Sequence, residues 1–459
     1  MKQLFLLILL SLLVGCKSNK YEEQDLSDLS NEDQEILRDV FYKLTPDRLL
    51  KKYTLDKYIN MYTKIENSKI VYLSLFYFSD AERVDQLDES LSRLRKIKTL
   101  NKLKLRNFSY IPDIFKTIEV ESLVLYNKED SLVSYTGLEE LKGLKDLLVI
   151  RPEATVNFPT YVYTLENLEI IDISQKSLRE VPPEIVSLKN LKKLEIRSDS
   201  LEYICPEVAQ LSKLEKLHIG SPKLKSLPSS LSQLKKLEEF KLFCSLPELP
   251  ECIAGMESLS GLIIKNNKIP TITSVPDFIG ELTNLRYLSL EADSLKSISK
   301  ELSKTKLRTF AITNSAQEID FPIELSSLPI EYLYLNNLHL TKTPEFINNF
   351  KKMKRLDISK NRITEFRGPE NIETWKHLDY LDLSDNVIPT LPKDIGKCSK
   401  LRILKVEYNR LKTLPKSIGN LHDLNIYWMG NPWESLPSEI CDTVKDFRDG
   451  NKMNFTTSL

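Results

Sequence analysis

The sequence predicts an α/β solenoid of about sixteen coils, with a parallel sheet on its concave side, a helical N-terminal cap and a short C-terminal cap. Three observations predict it: an apolar pattern that recurs about every 23 residues, an asparagine after that pattern in several coils, and a Leu-Pro step further on. Residues 378–400, LDYLDLSDNVIPTLPKDIGKCSK, show all three features within one coil.

Each part of this coil has a physical reason. Leu378, Leu381 and Leu383 give the pattern LxxLxL, and the alternation at its end predicts a strand whose remaining side chains point to the opposite face. Asn386 follows where the chain bends, so its amide can satisfy backbone groups that the turn leaves unpaired. Pro392 ends the extended stretch, and a short helical or 3₁₀ segment then returns the chain.

This frame resembles the leucine-rich repeat family, in its subtype of about 23 residues with a Leu-Pro step. The resemblance implies a leucine-rich repeat horseshoe covering residues 70–440. The coils start at Ile70, Leu100, Val120, Leu144, Leu168, Leu191, Leu214, Leu237, Leu259, Leu285, Leu307, Ile330, Met353, Leu378, Leu401 and Leu421.

Composition limits the partners and the chemistry. Lysine plus arginine number 65 and aspartate plus glutamate also number 65, so no overall field attracts nucleic acid or anionic lipid. Of six cysteines, Cys16 belongs to the leader, and the other five lack CxxC spacing, which predicts buried free thiols rather than disulfides or a zinc site. Cys205 and Cys252, two coils apart, are expected to lie about 10 Å from one another, too far for a bridge.

Residues 1–16 read as a lipoprotein signal peptide. Lys2 precedes an apolar run too short to span a bilayer, and the run ends in Leu-Val-Gly-Cys at residues 13–16. These residues resemble the bacterial lipobox, which implies cleavage before Cys16 and acylation of its sulfur and amine; an uncleaved anchor is the alternative. Lys17 follows Cys16, at the position where an aspartate would be the signal that retains enteric lipoproteins in the inner membrane. The resemblance therefore implies the bacterial outer membrane or the cell surface as the location. Several acyl chains would hold the protein at the membrane stably.

The segments that flank the repeats are polar or helical. Residues 17–30 are acidic and lack apolar periodicity, which predicts a flexible tether. Residues 31–69 predict a helical N-terminal cap with one helix capped by Ser30 or Asn31 and a second opened by Thr45-Pro46-Asp47. Such a cap would cover the end of the solenoid core, and an independent functional domain is the alternative.

The coils differ in regularity. Positions are counted from the first residue of each coil. The early coils lack asparagine at the ninth position, where Phe108, Lys128 and Pro152 stand. The residues expected to build the later ladder are Asn267, Asn361, Asn386 and Asn409, with Asp199 and Asp293 as partial substitutes. Residues 441–459 are predicted to be the C-terminal cap and tail. The residues expected to cover the last coil are Trp428, Trp433, Cys441, Val444 and Phe447.

No motif predicts an enzyme. Neither GxxxxGK[ST] nor GxGxxG is present, and the four histidines fall in four coils without a metal-binding spacing. His218, at position five of its coil, is expected to point outward and to be solvated. Cys398 is expected on the back of its coil, and a ligase domain after the repeats is not expected. No cofactor is expected.

Asp357 and Asp382 occupy position five of adjacent coils, so their carboxylates are predicted to stand side by side. Paired carboxylates can perform acid–base chemistry or bind calcium. The alternative, which we favour, is that Arg355 and Lys405 neutralise them on an open sheet.

Positions three and five of each coil face away from the core and form columns with steps of about 4.8 Å. A patch rich in tyrosine and arginine has the composition of binding hot spots. Arg355 is expected to cover the ring of Tyr332 or Tyr380; a purely structural role for these residues is the alternative. The candidate binding residues are Tyr287, Tyr332, Tyr334, Arg355, Asp357, Tyr380, Asp382 and Lys405, with Thr309 and Ile403 in the same column.

These observations favour a monomeric, non-enzymatic, membrane-anchored scaffold that binds protein or peptide on its concave face. A structural envelope protein or an adhesin for polysaccharide or host matrix is the alternative, and an enzyme with a site in the irregular N-terminal coils is a third. Aromatic rows without charge would favour sugar, whereas mixed aromatic and charged rows favour protein. A binding site at Lys102, Lys104 and Arg106 would place recognition in the early coils instead.

Overall fold

The computed structural model describes residues 26–77, 87–108, 112, 117–127, 137–151, 160–266, 272–421 and 423–435. Predictions on the signal peptide, on Cys16 and on the C-terminal cap lie outside these residues. The same is true of the predictions on Lys128, Pro152, Asn267, His422, Cys441, Val444 and Phe447. The chain forms two compact units, residues 1–176 and 177–459.

The first unit opens with a helical cap. Its α-helices are α1 (Asn31–Leu44), α2 (Asp47–Leu50), α3 (Leu55–Tyr62) and α4 (Leu87–Ser92). The Ser30 hydroxyl accepts a hydrogen bond from the Asp33 amide at 3.1 Å, which confirms one of the two predicted caps. Helix α1 buries an apolar stripe, which comprises Ile36, Leu37, Val40 and Phe41.

Three details of the cap differ from the prediction. The acidic tether does not extend to residue 30, because Leu26–Asp28 form a 3₁₀ turn in which Leu26 is buried. The second helix is split in two, and the Thr54 side chain caps the second part by accepting from the Lys57 amide at 3.3 Å. Thr45 does not cap the second helix, because it is the C-cap residue of α1 and its buried hydroxyl donates to the Phe41 carbonyl at 2.6 Å.

The strands of the first unit form one sheet. Strands β1 and β2 make an antiparallel hairpin, so the expected helical cap over residues 31–69 also contains a strand. From β2 to β6 the strands are parallel and in coil order. The bounds are β1 Thr63–Glu66, β2 Lys69–Phe76, β3 Lys102–Arg106, β4 Ser122–Tyr126, β5 Asp146–Arg151 and β6 Ile170–Gln175. Short 3₁₀ segments are Arg93–Lys96, Leu138–Glu140 and Thr160–Thr164.

The second unit holds a longer parallel sheet in which each coil adds one strand. Two-residue strands β7, β9, β13 and β15 pair separately, as β7 with β9 and β13 with β15. The bounds are β7 Glu180–Val181, β8 Lys193–Arg197, β9 Tyr203–Ile204, β10 Lys216–Ser221, β11 Glu239–Cys244, β12 Gly261–Asn266, β13 Ser274–Val275, β14 Tyr287–Ala292, β15 Ser297–Ile298, β16 Thr309–Thr313, β17 Tyr332–Asn336, β18 Arg355–Asp357, β19 Tyr380–Asp382, β20 Ile403–Lys405 and β21 Asn425–Tyr427.

Short 3₁₀ segments return the chain on the other side of each coil, as predicted after the Leu-Pro steps. These segments stack closely: a Cβ added at Gly396 would lie 1.7 Å from the Ser417 carbonyl oxygen. The segments are Pro183–Ser187, Pro206–Gln210, Ser229–Gln233, Glu251–Gly255, Asp277–Glu281, Lys300–Lys304, Ile323–Ser327, Glu345–Asn349, Ile372–Trp375, Ile395–Lys397 and Lys416–Asn420.

Strand pairing tests the predicted coil starts. In both units the predicted third positions face one another, for example Tyr380 opposite Ile403, so the frame is confirmed up to the coil of Leu401. The last start is wrong by two residues. Starting at Leu421 would place Asp423 third, but Asn425 is the residue opposite Ile403. Leu421 is instead the C-cap residue of a 3₁₀ segment, and its apolar side chain resembles the start of a coil.

A core of leucine and isoleucine lies between the sheet and the 3₁₀ segments, and Leu383 is fully buried in it. The predicted asparagine ladder is present at Asn361, Asn386 and Asn409. Asn361, for example, accepts from the Leu338 amide at 2.9 Å and donates to the Leu335 carbonyl at 2.8 Å. Such bonds satisfy backbone groups that the turn leaves without a strand partner.

Asp199 and Asp293 do not substitute for ladder asparagines, because both are exposed. Buried serines take that role nearby: the Ser198 hydroxyl donates to the Leu178 carbonyl at 2.7 Å, and Ser315 donates to the Leu295 carbonyl at 2.8 Å. A short hydroxyl reaches the turn backbone without placing a charge in the core. Across the described ranges, no helix combines the length and the apolar character needed to cross a bilayer.

Candidate functional site

The sheet face turned away from the core, here called the open face, assembles the predicted column on adjacent strands of the second unit. Position three runs from Tyr287 on β14 through β16, β17 and β18 to Tyr380 on β19. Position five places Tyr334, Asp357, Asp382 and Lys405 on adjacent strands. The eight candidate residues together are called the tyrosine patch, namely Tyr287, Tyr332, Tyr334, Arg355, Asp357, Tyr380, Asp382 and Lys405.

Cations lie over two rings of the patch. The Arg355 guanidinium carbon is 5.3 Å from the centre of the Tyr380 ring, so Arg355 covers Tyr380 rather than Tyr332. Lys354 covers Tyr332, with its ammonium nitrogen 5.8 Å from the ring centre. Arg355 remains about half exposed and its nearest carboxylate is Asp379, at 3.7 Å. The guanidinium is therefore oriented by a ring and still open to a partner.

Tyr380, Asp382 and Lys405 form a compact polar group at one end of the patch. The Tyr380 hydroxyl donates to Asp382 at 2.9 Å, and the Lys405 ammonium lies 3.4 Å from the same carboxylate oxygen. The other oxygen of Asp382 accepts from the amide and the hydroxyl of Ser384 at 3.0 and 2.6 Å. Burial, and to a lesser extent the Asp382 carboxylate, raises the pKa of Tyr380. Asp382 is only 5% exposed, so its role is to hold Tyr380 and Lys405 in place.

Asp357 lies beside Asp382, as predicted, but its expected neutralisation by Arg355 is wrong. Arg355 pairs with Asp379, and among the described residues no lysine or arginine forms an ion pair with Asp357. Asp357 accepts instead from the Asn336 amide group and from the Ser359 backbone amide. Burial and, next, the neighbouring Asp382 charge raise the pKa of Asp357.

The described residues contain no group of three or more histidine, cysteine, aspartate or glutamate side chains arranged to hold a metal ion. No third acidic, histidine or cysteine side chain of the described residues joins the carboxylates of Asp357 and Asp382 in such a group. They act as hydrogen-bond acceptors for groups of the chain itself.

A second cluster on the open face was missed by the sequence analysis. His218 lies between Glu195 and Glu239 on the neighbouring strands, with ring nitrogen to carboxylate distances of 3.2 and 2.6 Å. The prediction that His218 is solvated is wrong, because the residue is 7% exposed. Glu195 also contacts Lys193 at 2.7 Å and Arg197, and Glu239 contacts Lys241 at 2.7 Å. These six residues are called the charged cluster.

The charged cluster is internally neutralised. Against the cost of burial, His218, Arg197 and Lys193 lower the pKa of Glu195 from its ordinary value of 4.5 to about 2. The pKa of Glu239 is also lowered, because Lys241 and His218 outweigh the burial that would raise it. The sequence held a signal for this cluster: lysine, glutamate and histidine alternate at positions three and five of three consecutive coils.

The thiols of the repeats are buried and unpaired, as predicted for the four that the structure describes. Cys205, Cys244, Cys252 and Cys398 form no disulfide. Burial raises the pKa of the first three thiols to about 11 and that of Cys398 to about 12. A thiol with so high a pKa is a poor nucleophile at neutral pH, so these cysteines pack the core.

Comparisons with known proteins agree with this architecture. The sequence profile of the leucine rich repeat family matches residues 351–411. Lumican of Rattus norvegicus is 30% identical over 156 residues, which are 33% of this chain and 45% of lumican. Receptor like protein 22 of Arabidopsis thaliana is 33% identical over 138 residues, 28% of this chain and 17% of that protein. The chain therefore spans less than half the length of these curated relatives.

Solved structures share the fold over most of the chain. A leucine-rich repeat protein of Leptospira interrogans matches with a TM-score of 0.59 and 25% identity, over 76% of this chain and 94% of that one. An internalin of Listeria monocytogenes matches with a TM-score of 0.53 and 16% identity, over 85% of this chain and 94% of that one. The ectodomain of an Arabidopsis thaliana membrane receptor kinase, in complex with Casparian strip integrity factor 2, matches with a TM-score of 0.52 and 21% identity. The match covers 77% of this chain and 50% of that one.

Proposed function

Because the chain is a leucine-rich repeat protein, we propose that it is a non-enzymatic recognition scaffold that binds a protein or peptide partner on the open face of its second unit. The observation behind this proposal is the tyrosine patch. Its rings and its arginine lie on adjacent strands, fixed by the sheet and by contacts with their neighbours, and they remain partly exposed.

The chemistry of the patch favours protein over sugar. Tyrosine and arginine are enriched at binding hot spots, and each combines a large contact area with a polar group. Here aromatic and charged residues alternate along both columns, from Tyr332 to Arg355 and Tyr380, and from Tyr334 to Asp357. Mixed rows of this kind are what we expect of a protein-binding surface.

The comparisons support the same class of partner. The plant receptor kinase ectodomain is in complex with a factor, and another structure of this fold, with a TM-score of 0.54 and 17% identity, is the Toll–Spätzle complex of Drosophila. At these identities the likeness is one of fold, so the choice of surface depends on this chain's own residues.

We propose further that Cys16 is the lipid attachment site and that the protein is a monomer held at the bacterial outer membrane or cell surface. The support is the Leu-Val-Gly-Cys sequence at the end of the apolar run. Labelling of cells with an alkyne fatty acid should mark the wild type and leave Cys16→Ala unmarked. Equal labelling of both would contradict lipidation.

The proposed recognition is tested by presenting the full-length chain to a protein and peptide array and, in parallel, to a glycan array. A true partner should bind the wild type, bind Tyr332→Ala and Tyr380→Ala more weakly, and bind Tyr203→Ala normally. Tyr203 is a suitable control because it is 51% exposed on β9, which belongs to a separate small sheet. Glycan hits with the same dependence would replace protein binding by the adhesin alternative. A partner that binds Tyr332→Ala and Tyr380→Ala as tightly as the wild type would contradict the proposed surface.

A further inference from the structure

The open face of the first unit carries three cations on one strand. Lys102, Lys104 and Arg106 occupy all three outward positions of β3, about 6.8 Å apart, because alternate residues of a strand point to the same side. Lys102 is exposed, and the other two are half-buried. The residues between them, Leu103 and Leu105, are buried in the core. The outward side of β3 is therefore entirely basic.

Arg106 is oriented by aromatic rings but is left unpaired. Its guanidinium carbon lies 5.8 Å from the centre of the Tyr62 ring and 5.9 Å from the centre of the Phe76 ring. Within the described residues Arg106 forms no hydrogen bond and no ion pair, and its Nε atom is buried without an acceptor. A guanidinium offers five N–H donors and stays charged at every physiological pH. The chain thus fixes a cation in place and leaves its donors to be used by an anion from outside.

The described carboxylates near β3 neutralise it only in part. Glu66 forms its ion pair with Lys64, and the charge of Lys102 adds only a smaller lowering of the Glu66 pKa. Lys102 itself forms no hydrogen bond or ion pair within the described residues. Asp146 lies two strands away on β5, about 10 Å from β3, and burial raises its pKa. The strand therefore keeps positive charge that an acidic partner can neutralise.

An apolar band lies beside these cations on the same face. It is formed by outward residues of β4 and of β5, which pair in register, namely Val124, Tyr126, Leu148 and Ile150. All four side chains are partly exposed, and Ile170 on β6 is 36% exposed. Apolar side chains of this kind gain free energy when another apolar surface covers them. A peptide has aliphatic side chains that can do so, whereas a polynucleotide or an acidic polysaccharide has none.

We propose that the open face of the first unit is a second binding site, which takes an acidic segment of a protein or peptide. Carboxylates of the segment pair with Lys102 and Arg106, and apolar residues a few positions further along cover Val124 and Leu148. Arg106 suits a carboxylate because its planar fork can donate two parallel hydrogen bonds. The site does not involve the tyrosine patch and does not depend on what binds there.

A phage library of random linear peptides tests this when it is selected on the full-length chain and depleted on the full-length Arg106→Gln variant. Recovered peptides should contain aspartate or glutamate next to aliphatic residues. Replacing these acidic residues by their amides should weaken binding to the wild type about tenfold or more, and raising the salt concentration should weaken it further.

Variants of the chain locate the site. Lys102→Gln should weaken the acidic peptide several-fold, and Leu148→Ala should do the same through lost apolar contact. Lys216→Gln is the matched control, because Lys216 is exposed at the same coil position on β10 of the second unit and should not matter. Lys102 is exposed and makes no described ion pair, so its substitution should leave the fold unchanged, which a thermal melt verifies.

Several results would overturn the proposal. One is a selection that yields no peptide preferring the wild type over Arg106→Gln, and another is a set of peptides that tolerate the amides. Equal, Arg106-dependent binding of heparin or single-stranded DNA would mean a general polyanion site. Binding that appears only after Glu22, Glu23 and Asp25 are changed to amides would make the chain's own acidic segment the occupant.

The tyrosine patch is tested separately by the same peptides. Tyr332→Ala should bind them as the wild type does. A loss of their binding in Tyr332→Ala, without a loss in Lys102→Gln, would assign the acidic peptides to the second unit and overturn the site on the first. Normal binding by Tyr332→Ala supports the site on the first unit whether or not the proposed function of the tyrosine patch holds.

Discussion

Apart from Arg197, which is at position seven, the charged cluster occupies the same two positions of the repeat as the tyrosine patch and lies on the same face of the second unit, yet the two regions differ in how exposed and how paired their side chains are. In the charged cluster each carboxylate meets cations of the chain itself, and His218 is buried between two of them. In the tyrosine patch the rings stay partly exposed and Arg355 is about half exposed. The repeat fixes which side chains leave the core, whereas the neighbours in adjacent coils determine whether those side chains remain free to bind.

This difference separates a stabilising surface from a binding surface. Groups that are already paired must lose their partners before they can bind another molecule, and that loss offsets the gain. Rings held by stacking cations lose little on binding, because they are already ordered. We therefore expect substitutions in the charged cluster to change stability, and substitutions in the tyrosine patch to change binding.

The largest expected effect tests whether the two regions share one core. Leu242 and Leu383 occupy the same inward position in their coils and both are fully buried. Replacing either by alanine should cost about 2 to 5 kcal/mol of unfolding free energy, since each leaves a cavity that the stacked coils close only in part. Urea unfolding followed by circular dichroism should show a lower and broader transition for both variants. An unchanged midpoint for Leu383→Ala would mean that the repeat frame is wrong.

The next effect concerns the charged cluster alone and depends on pH. The pKa of Glu195 is about 2 in the folded chain, compared with an ordinary value of 4.5. Its carboxylate thus stabilises the fold above pH 4.5, and this contribution is lost as the pH falls from 4.5 towards 2. The difference corresponds to at most about 3 kcal/mol.

Glu195→Gln should accordingly lower the unfolding free energy at pH 7, and the gap to the wild type should close as the pH approaches 2. The measurement is the urea midpoint of both proteins across this range. Glu238→Gln removes the charge of an exposed carboxylate two coils further on; it serves as the control and should shift little. A gap that persists unchanged at low pH would show that the ion pairs of Glu195 do not stabilise the fold.

The sequence predicted the fold and the geometry of the columns because both follow from apolar spacing. Once Leu381 and Leu383 are inward, Tyr380 and Asp382 must be outward, and parallel pairing at equal coil positions then places Tyr380 beside Arg355. The binding residues were brought together for this reason. The error at Leu421 shows the limit of the method, since leucine is also frequent at the end of the 3₁₀ segment.

Spacing alone could not predict which outward residues are buried. His218 was expected in solvent because its own coil gives no sign of burial; the cause lies in Glu195 and Glu239, in the coils before and after it. The serines that replace ladder asparagines were missed for a similar reason. Whether Ser198 or Asp199 turns inward depends on the local path of the backbone, which a pattern of residue types does not specify.

Within the tyrosine patch, removing a ring should affect binding more than folding. Tyr332→Ala and Tyr380→Ala should each weaken partner binding by roughly 1 to 4 kcal/mol, the usual cost of truncating a hot-spot residue. Titration calorimetry with a partner from the array measures the effect. If both variants bind normally while changes at Lys102, Lys104 or Arg106 abolish binding, recognition belongs to the first unit instead.

The smallest expected effect separates two roles of Tyr380: its hydroxyl contacts Asp382 within the chain, and its ring is proposed to contact the partner. Tyr380→Phe keeps the ring beneath Arg355 and removes the hydroxyl that donates to Asp382 at 2.9 Å. Asp382 retains its bonds to Ser384 and its contact with Lys405, so the loss of unfolding free energy should stay near 1 kcal/mol. Tyr332→Phe is the matched control: its hydroxyl has no hydrogen bond within the described residues, and its removal should cost less.

Because a partner meets the ring rather than the occupied hydroxyl, Tyr380→Phe should bind almost as the wild type does. A loss of affinity as large as that of Tyr380→Ala would mean that the hydroxyl leaves Asp382 to contact the partner, and that the two regions of the open face differ less than their present contacts indicate.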